Sequence, residues 1–448
     1  MPCTYKTYFG IMEIFTNSEQ ALKQEIIDEK SDKRNFFLAL INGIFASIGF
    51  RFIDSNMILP AFVKQLTRSN VMVGLVSSTM SAGSIWLQML TSNLIEHRPR
   101  KMPFYTFGIT IRLITWVFIT FLTLIIGNSN YALLFACFYL FYFLFCSSLG
   151  ISNLPFNDIV AKTIPANRIA RLFSTRQFIG EAFGIGVGFL IKYILGEKCY
   201  IAFPYNYTLI FLFSLVMLTI SGFSFIMVKE PIAPVVKERM PFWQHLKLGP
   251  KFLKTDKNYK LFMAYRIVAS FGAMSIPFYV PYAMDRMQIH ASTIGTFTAV
   301  GAVSALLSNV LWGYIGEKHG SRNLMVIASS LACIAPVIAA CVRYLPSHLQ
   351  VTAYLLVFVV NQAFTSASGV AFMTYSLNMA PSMNRPTYLG FMNTLMFPLG
   401  FVPVFAGASL KIMPYEYMFF LSAIISAVAV YSATKLLEVD RKKKLEDS

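Results

Sequence analysis

Five ionisable residues lie inside long apolar stretches of this 448-residue chain, namely Arg51, Asp54, Arg112, Glu181 and Arg266. A charge at the depth of a bilayer costs about 2.5–3.5 kcal/mol on insertion scales, so such residues usually face a bundle interior or a water-filled cavity. Arginine binds anionic groups, and a carboxylate takes up and releases protons. The chemistry that these residues offer is therefore binding of a charged solute and movement of protons within a membrane.

The composition indicates that helices crossing a membrane must position these charges. Hydrophobic residues make up 56% of the chain and charged residues only 13%, about half the usual charged fraction of a soluble protein. A membrane-spanning helix needs roughly 20 mostly apolar residues. Segments of that length predict twelve helices, over residues 36–62, 71–95, 103–126, 131–156, 173–195, 207–228, 259–284, 292–315, 323–344, 350–376, 386–410 and 415–436.

The distribution of basic residues predicts the orientation of the chain. The net charge is +17, and most Lys and Arg residues outside the predicted helices fall in the two tails and in the loops that follow even-numbered helices. Cytoplasmic loops of membrane proteins carry this excess, so we expect both termini in the cytoplasm and the protein in the cell (inner) membrane. The charge is explained by topology and anionic lipid, and nucleic acid is not expected as a partner.

The two halves of the chain repeat each other. The sequence "IFASIGFRFI" from Ile44 matches "IVASFGAMSI" from Ile267 at five positions, and predicted helices 2 and 8 align by pairing Gly74 with Gly295 and Glu96 with Glu317. We therefore divide the chain into a cytoplasmic tail (1–35), a six-helix bundle (36–228), a cytoplasmic linker (229–258), a second six-helix bundle (259–436) and a basic tail (437–448).

A charged turn interrupts the apolar sequence between predicted helices 8 and 9. Its pattern, Gly313-x-x-x-Glu317-Lys318-x-Gly320-Ser321-Arg322, resembles the G-x-x-x-D-[RK]-x-G-[RK]-[RK] signature of the major facilitator superfamily. The resemblance implies an all-α membrane protein of twelve helices in two six-helix bundles, which works by alternating access. It also implies that the acid and the base of this turn form a latch that closes the cytoplasmic side. The copy in the first half keeps Glu96 but lacks both glycines.

The same resemblance implies that helices 1, 4, 7 and 10 line a central cavity. Ser47, Arg51 and Asp54 share one face of helix 1, so Arg51 and Asp54 either neutralise each other or face the cavity, where Arg51 binds an anionic group and Asp54 carries a proton. Glu181 lies in a glycine-rich helix 5 and has Arg112 as a candidate partner. Arg266 either lines the site or extends toward the cytoplasm. Asn361 and Gln362 on helix 10 are further candidates for substrate contact.

The function expected from these features is secondary transport of a small organic solute, with coupling to protons through Asp54 or Glu181. Three arginines inside helices favour an anion or a zwitterion as substrate. Two alternatives stay open, namely export of an amphiphilic drug-like or lipid-like compound and a transporter-like receptor or scaffold. The cysteine and histidine spacings predict no metal site or cofactor, and no enzyme constellation is evident. We expect a monomer surrounded by membrane lipids.

Overall fold

A computed structural model describes residues 32–95, 98–231, 253–379 and 385–438, and within these ranges the chain is almost entirely helical, without a β-strand. Most of the predicted tails (1–31 and 439–448), most of the predicted linker (232–252) and Glu96 lie outside the described residues. The helices of the first half are α1a (Asp32–Phe52), α1b (Ile58–Thr67), α2 (Asn70–Ile95), α3 (Met102–Ile126), α4 (Tyr131–Thr163), α5 (Ala166–Ile194) and α6 (Tyr205–Ile226). Those of the second half are α7a (Lys257–Gly272), α7b (Tyr279–Arg286), α8 (Ser292–His319), α9 (Ser321–Cys341), α10 (Ser347–Met379), α11a (Arg385–Met396), α11b (Val402–Ser409) and α12 (Tyr415–Thr434).

The described residues contain 11 helices that are long and apolar enough to cross a membrane. The twelfth expected span, α2, has 26 residues but is not among them. Its sequence is rich in serine and threonine, and it packs between α4 and α11b rather than in lipid. The prediction of an all-α membrane protein is therefore confirmed.

The first predicted helix is not continuous, and this corrects the expectation of one helix over 36–62. The chain leaves the helix after Phe52 and re-enters it at Ile58. The Oδ1 atom of Asp54 accepts a hydrogen bond of 2.8 Å from the backbone N–H of Asn56, so the side chain stabilises a local turn in place of a helical turn. Pro60, which has no N–H to donate, falls in the first turn of α1b, where that hydrogen bond is not needed.

Equivalent breaks occur in the second half. Between α7a and α7b the chain forms a 3₁₀ helix, Ala273–Phe278, which contains Pro277. This segment begins within the repeated sequence of the second half, which ends at Ile276, whereas the Asp54 turn begins at the last residue of its counterpart, Ile53. A second 3₁₀ helix, Pro398–Phe401, joins α11a to α11b. Broken helices at matching positions of two repeats are typical of the substrate region in transporters.

The two halves meet mainly through two helix pairs, α5 with α8 and α2 with α11b. We call the end of the molecule where α5 ends and α8 begins the far end. Buried apolar residues of both halves form one continuous core there, which includes Phe62 and Phe211 of the first half and Phe278 and Phe419 of the second. At the opposite end, where α1a begins and α12 ends, each half has its own core, and this end is called the near end. The halves are therefore sealed together at the far end and separate at the near end.

Candidate functional site

A cavity of about 510 Å³ lies between the two halves, on the near-end side of the shared core. The first half contributes residues of α1a, the Asp54 turn and α5, and the second half contributes residues of α8 and α10. The lining side chains with polar groups are Ser47, Arg51, Asp54, Gln177, Glu181, Asn309, Gln362, Thr365 and Ser366. The placement of Ser47, Arg51 and Asp54 on the cavity wall agrees with their shared face on the first predicted helix.

The charged partner of Arg51 is Glu181, which lies on α5. The Arg51 Nη2 atom donates to the Glu181 Oε2 atom, and both side chains are about nine-tenths buried. Gln177, one helical turn before Glu181, donates to its other oxygen, Oε1, at 3.0 Å. The alternative in which Arg51 and Asp54 neutralise each other is therefore wrong, because the guanidinium reaches across to α5 instead of back along its own helix.

Asp54 has no cationic partner in the described part of the chain. Its Oδ1 atom caps the turn, as described above, and its side chain lies on the cavity wall. Three backbone N–H groups of the following residues, up to Leu59, donate to the Asp54 carbonyl oxygen. The carboxylate is thus held by the break in α1 while its remaining oxygen is available to the cavity.

The second half supplies only uncharged groups to the cavity. Asn309 on α8 has a buried Nδ2 atom without a hydrogen-bond acceptor among the described residues, which leaves its two N–H groups unpaired beside the cavity. Gln362, Thr365 and Ser366 on α10 line the same space, whereas Asn361 is buried and does not line it. The charges of the cavity therefore come from the first half, and the neutral hydrogen-bonding groups come largely from the second.

Two of the predicted arginines lie away from this cavity. Arg112 on α3 is buried and donates to the Ser152 hydroxyl on α4, so the expected pairing of Arg112 with Glu181 is wrong. α3 and α4 pack closely together, and the serine lies within their interface. Arg266 on α7a lines a separate cavity inside the second half, with its guanidinium carbon 3.9 Å from the centre of the Phe372 ring.

A polar network across the far end was not predicted from the sequence. The Lys64 Nζ atom lies 2.6 Å from Asp285 Oδ2 and 2.8 Å from Asn70 Oδ1. The Tyr415 hydroxyl lies 2.8 Å from the same two oxygens. Lys64 and Asn70 belong to the first half and Asp285 and Tyr415 to the second. We call these four residues the far-end network. The signal that could have indicated it is the presence of opposite charges at the outer ends of the two broken helices, α1b and α7b.

The predicted latch residues at the near end do not pair with each other. Glu317 is exposed and has no ion pair among the described residues. Arg322 instead donates to the Thr434 carbonyl at the end of α12 and lies 3.9 Å from Glu438. Carbonyls at a helix C-terminus attract cations, which explains this contact within the second half. A Glu317–Arg322 pair is therefore absent from the state described here, and its role in a state closed at the near end stays a prediction.

The motif glycines have different local roles. Gly320 has φ of +82°, which favours glycine, and its N–H donates to the Gly316 carbonyl at 3.1 Å, so it forms the turn between α8 and α9. Gly313 has no neighbour within 4 Å of the position where a Cβ would lie, so no other helix packs closely against it in this state. Lys318 lies 3.2 Å from the Tyr314 hydroxyl on its own helix.

The glycines of α5 show which surface of this helix meets the other half. A Cβ at Gly188 would collide with the backbone of Ala299 on α8, and a Cβ at Gly295 would collide with the backbone of Lys192 on α5. Gly180 adjoins Ser47, and Gly184 lies near Ala302. Gly180, Gly184 and Gly188 thus allow close packing of α5, whereas Gly186 faces open space.

Comparison with known proteins agrees with this architecture. The family model described as Major Facilitator Superfamily matches residues 261–448. A search of curated proteins finds no significant match. The inward-facing structure of a bacterial homologue of the iron transporter ferroportin is similar to this chain, with 14% identity and a TM-score of 0.68, covering 90% of this chain and 98% of that one. A D-xylose-proton symporter gives 14% identity and a TM-score of 0.67, with 91% and 98% covered. A point mutant of the nucleoside transporter NupG gives 12% identity and a TM-score of 0.66, with 91% and 100% covered.

At these identities the structural likeness establishes the fold, while the family model adds a sequence match over the second half. Together with the broken helices, the two repeated halves and the cavity between them, these findings identify the chain as an integral multi-pass membrane protein with the transporter fold of the major facilitator superfamily.

Proposed function

We propose that this protein is a proton-coupled secondary transporter of a small polar organic solute and works by alternating access. The observation that carries the proposal is the cavity between the halves, which is sealed by a shared core at the far end and flanked by two separate cores at the near end. Rocking the halves about this cavity would expose it to the opposite side. The resemblance of the fold to secondary transporters supports the same mechanism.

The cavity wall favours a substrate with at least one cationic group. Arg51 is neutralised by Glu181, and the Asp54 carboxylate then has no cation beside it among the described residues. An organic cation or a zwitterion would supply the missing charge, and a proton would do so when the site is empty. Arg112 and Arg266, which favoured an anion when only the sequence was considered, do not line this cavity. The proposed substrate is therefore cationic or zwitterionic.

The size and polarity of the cavity support a small, polar solute over an amphiphile. Its volume of about 510 Å³ lies within the range of small-molecule sites, roughly 300–1,000 Å³. Most of its lining residues are polar, and the free donor on Asn309 is suited to an oxygen of the substrate. A lipid-like compound would leave the hydrogen-bonding groups of these polar side chains unpaired, which disfavours its export through this cavity.

We also propose that both termini are cytoplasmic, which makes the near end the cytoplasmic end and the state described here inward-facing. The support is the excess of basic residues in the tails and in the loops at that end. Membrane lipids, the solute and protons are the proposed partners, and the monomer, which holds the complete cavity, is the proposed transporting unit. No nucleic-acid partner is proposed.

Transport in proteoliposomes tests the role of the cavity. After a thermal-shift screen of organic cations and zwitterions finds a ligand, its accumulation is measured with an imposed pH gradient, and its exchange is measured without one. Asp54→Asn is expected to abolish gradient-driven accumulation and to impair exchange, because it removes the carboxylate that the proton and the cationic group of the solute neutralise in turn. Glu197→Gln, which changes an exposed carboxylate at the far end, is the control and should retain both activities. Full gradient-driven accumulation by Asp54→Asn would refute proton coupling through this residue.

Cysteine labelling tests the proposed orientation. In a background without native cysteines, Lys318→Cys and Tyr200→Cys place exposed thiols at the near and far ends, respectively. An impermeant thiol reagent added outside intact cells is expected to label position 200 and not position 318. The reverse pattern would show that the orientation is inverted.

A further inference from the structure

The second half contains a cavity of its own, of about 170 Å³, among α7a, α9, α10 and α12. Helix α10 separates it from the central cavity, because Thr365 and Gly369 line the central side while Phe364 and Ser368 line the other. Its lining residues include two ionisable side chains, the Tyr265 phenol and the Arg266 guanidinium, and we call this space the Arg266 cavity. Nothing in the proposed transport cycle uses it.

Arg266 has no anionic or hydrogen-bonding partner for its side chain in the parts of the chain that the structure describes. Its Nε atom is buried without an acceptor, and its guanidinium lies over the Phe372 ring, 3.9 Å from the centroid. The aromatic face holds the cation in place but accepts none of its N–H groups in the plane of the guanidinium. Burying a cation whose N–H groups have no acceptor costs free energy unless a bound ligand supplies the missing acceptor and negative charge.

The other groups around the cavity are neutral and small. The Tyr265 and Ser329 hydroxyls lie 3.1 Å apart, and Ser329 also donates to a carbonyl of its own helix at 2.9 Å. Ser368 has no hydrogen-bond partner for its side chain among the described residues, which leaves its hydroxyl available to the cavity. The lining contains no carboxylate, so an anion would meet one fixed cation and at least one free hydroxyl without repulsion.

We propose that the Arg266 cavity binds a small monovalent anion of the size of chloride or a short monocarboxylate. The volume equals that of a few water molecules, at about 30 Å³ each, which fits such an anion with part of its hydration shell and excludes a large organic anion. The anion accepts hydrogen bonds from Arg266 and Ser368 and so completes the charge balance of the bundle. The site is separate from the central cavity and does not depend on the identity of the transported solute.

Thermal unfolding of the purified protein in detergent tests this proposal. Sodium chloride, sodium acetate and sodium gluconate are compared at equal ionic strength, with gluconate as the anion that is too large. A saturable rise in Tm of about 2 °C is expected with chloride or acetate and not with gluconate. Arg266→Gln should remove the rise, whereas Lys318→Gln, which removes an exposed cation, should retain it. An equal rise in gluconate, or a rise that survives in Arg266→Gln, would overturn the proposal.

A second variant guards against misfolding of Arg266→Gln. Ser368→Leu keeps the arginine but fills the space beside it, and it should abolish the response to chloride and acetate. Met373→Leu, which changes an exposed side chain on the same helix, is the control and should leave the response unchanged. In crystals soaked in bromide, anomalous density beside Arg266 is expected, and its absence at a bromide concentration that saturates the thermal response would contradict the assignment.

Discussion

The two ends of the interface between the halves are held by different means. At the far end, one apolar core runs through both halves, glycines bring the α5 and α8 backbones into contact, and the far-end network joins charges across the interface. At the near end, each half packs around its own core, and Arg322 of the charged turn makes its contacts within the second half. The sequence motif therefore marks the end that is open, while the contacts that maintain this state lie at the opposite end.

This difference explains how one set of helices serves two states. Because the halves share no core at the near end, this end can close without first unpacking buried residues of either half. At the far end, by contrast, a packed interface must be broken before the end can open. The central charges lie between the two ends and within the first half alone, since Arg51 and Glu181 both belong to it. That ion pair should thus persist in both states, while the far-end network forms in only one.

The largest effect is expected at the glycine contact of the far end. Gly188→Leu places a side chain against the Ala299 backbone, so the far end cannot close and transport should be lost. Gly186→Leu, two residues away and facing open space, should transport normally. Solute exchange in proteoliposomes measures both variants, with elution as a monodisperse peak as the folding control. Equal activities would show that close packing of α5 on α8 is not required.

The second largest effect is expected from breaking the ion pair between Arg51 and Glu181, which should lower the stability of the protein. Arg51→Met leaves Glu181 buried without its cation and should lower the free energy of unfolding by about 3 kcal/mol. The double variant Arg51→Met with Glu181→Leu should recover most of this loss but not transport. Denaturation in detergent and uptake assays measure the two properties. Recovery of full transport in the double variant would reduce the pair to a structural role.

Breaking the far-end network should have a smaller effect, on the equilibrium between the states that are closed and open at the far end. Lys64→Met removes contacts with Asp285 and Asn70, and hydrogen bonds to charged groups contribute about 2 kcal/mol, or roughly a 30-fold change in the equilibrium. A cysteine at Thr365 on the cavity wall should then be labelled faster by an impermeant reagent from the far end. The conservative Lys64→Arg variant is the control. An unchanged labelling rate in Lys64→Met would show that the network does not hold this end closed.

The smallest effect is expected at the near-end turn. Glu317→Gln removes an exposed charge that has no ion pair among the described residues in this state, so thermal stability should not change measurably. If the turn latches the near end when it closes, the same variant should reduce only the population of the closed state. A clear loss of thermal stability in Glu317→Gln would mean that the carboxylate already has a structural role in the open state.

Much of the fold could be predicted because it depends on patterns local to each helix. Apolar length predicted the spans, and the repeat around Ile44 and Ile267 predicted two related halves. The break in α1 was missed although its signals are in the sequence, since Asp54, Ser55 and Asn56 favour a turn and Pro60 disfavours a continuous helix. Local hydrogen bonding prevailed there over hydrophobic periodicity.

The partners across the cavity could not be predicted in the same way. The shared face of Ser47, Arg51 and Asp54 follows from helical spacing, but which acid pairs with Arg51 depends on how α1a and α5 cross. The far-end network likewise depends on the positions of two broken helices from different halves. Sequence spacing sets the face of a helix on which a residue lies, and only the packing of helices determines what that face meets.

Distances between spin labels test alternating access most directly. In a cysteine-free background, one label pair at Tyr200 and Ile412 spans the far end, and a second pair at Arg98 and Lys318 spans the near end. Both pairs join the first half to the second and can be measured by double electron-electron resonance in wild type and Lys64→Met. The account predicts that the mutation lengthens the far-end distance and shortens the near-end distance in the same fraction of molecules. Far-end distances that lengthen while near-end distances stay fixed would contradict it.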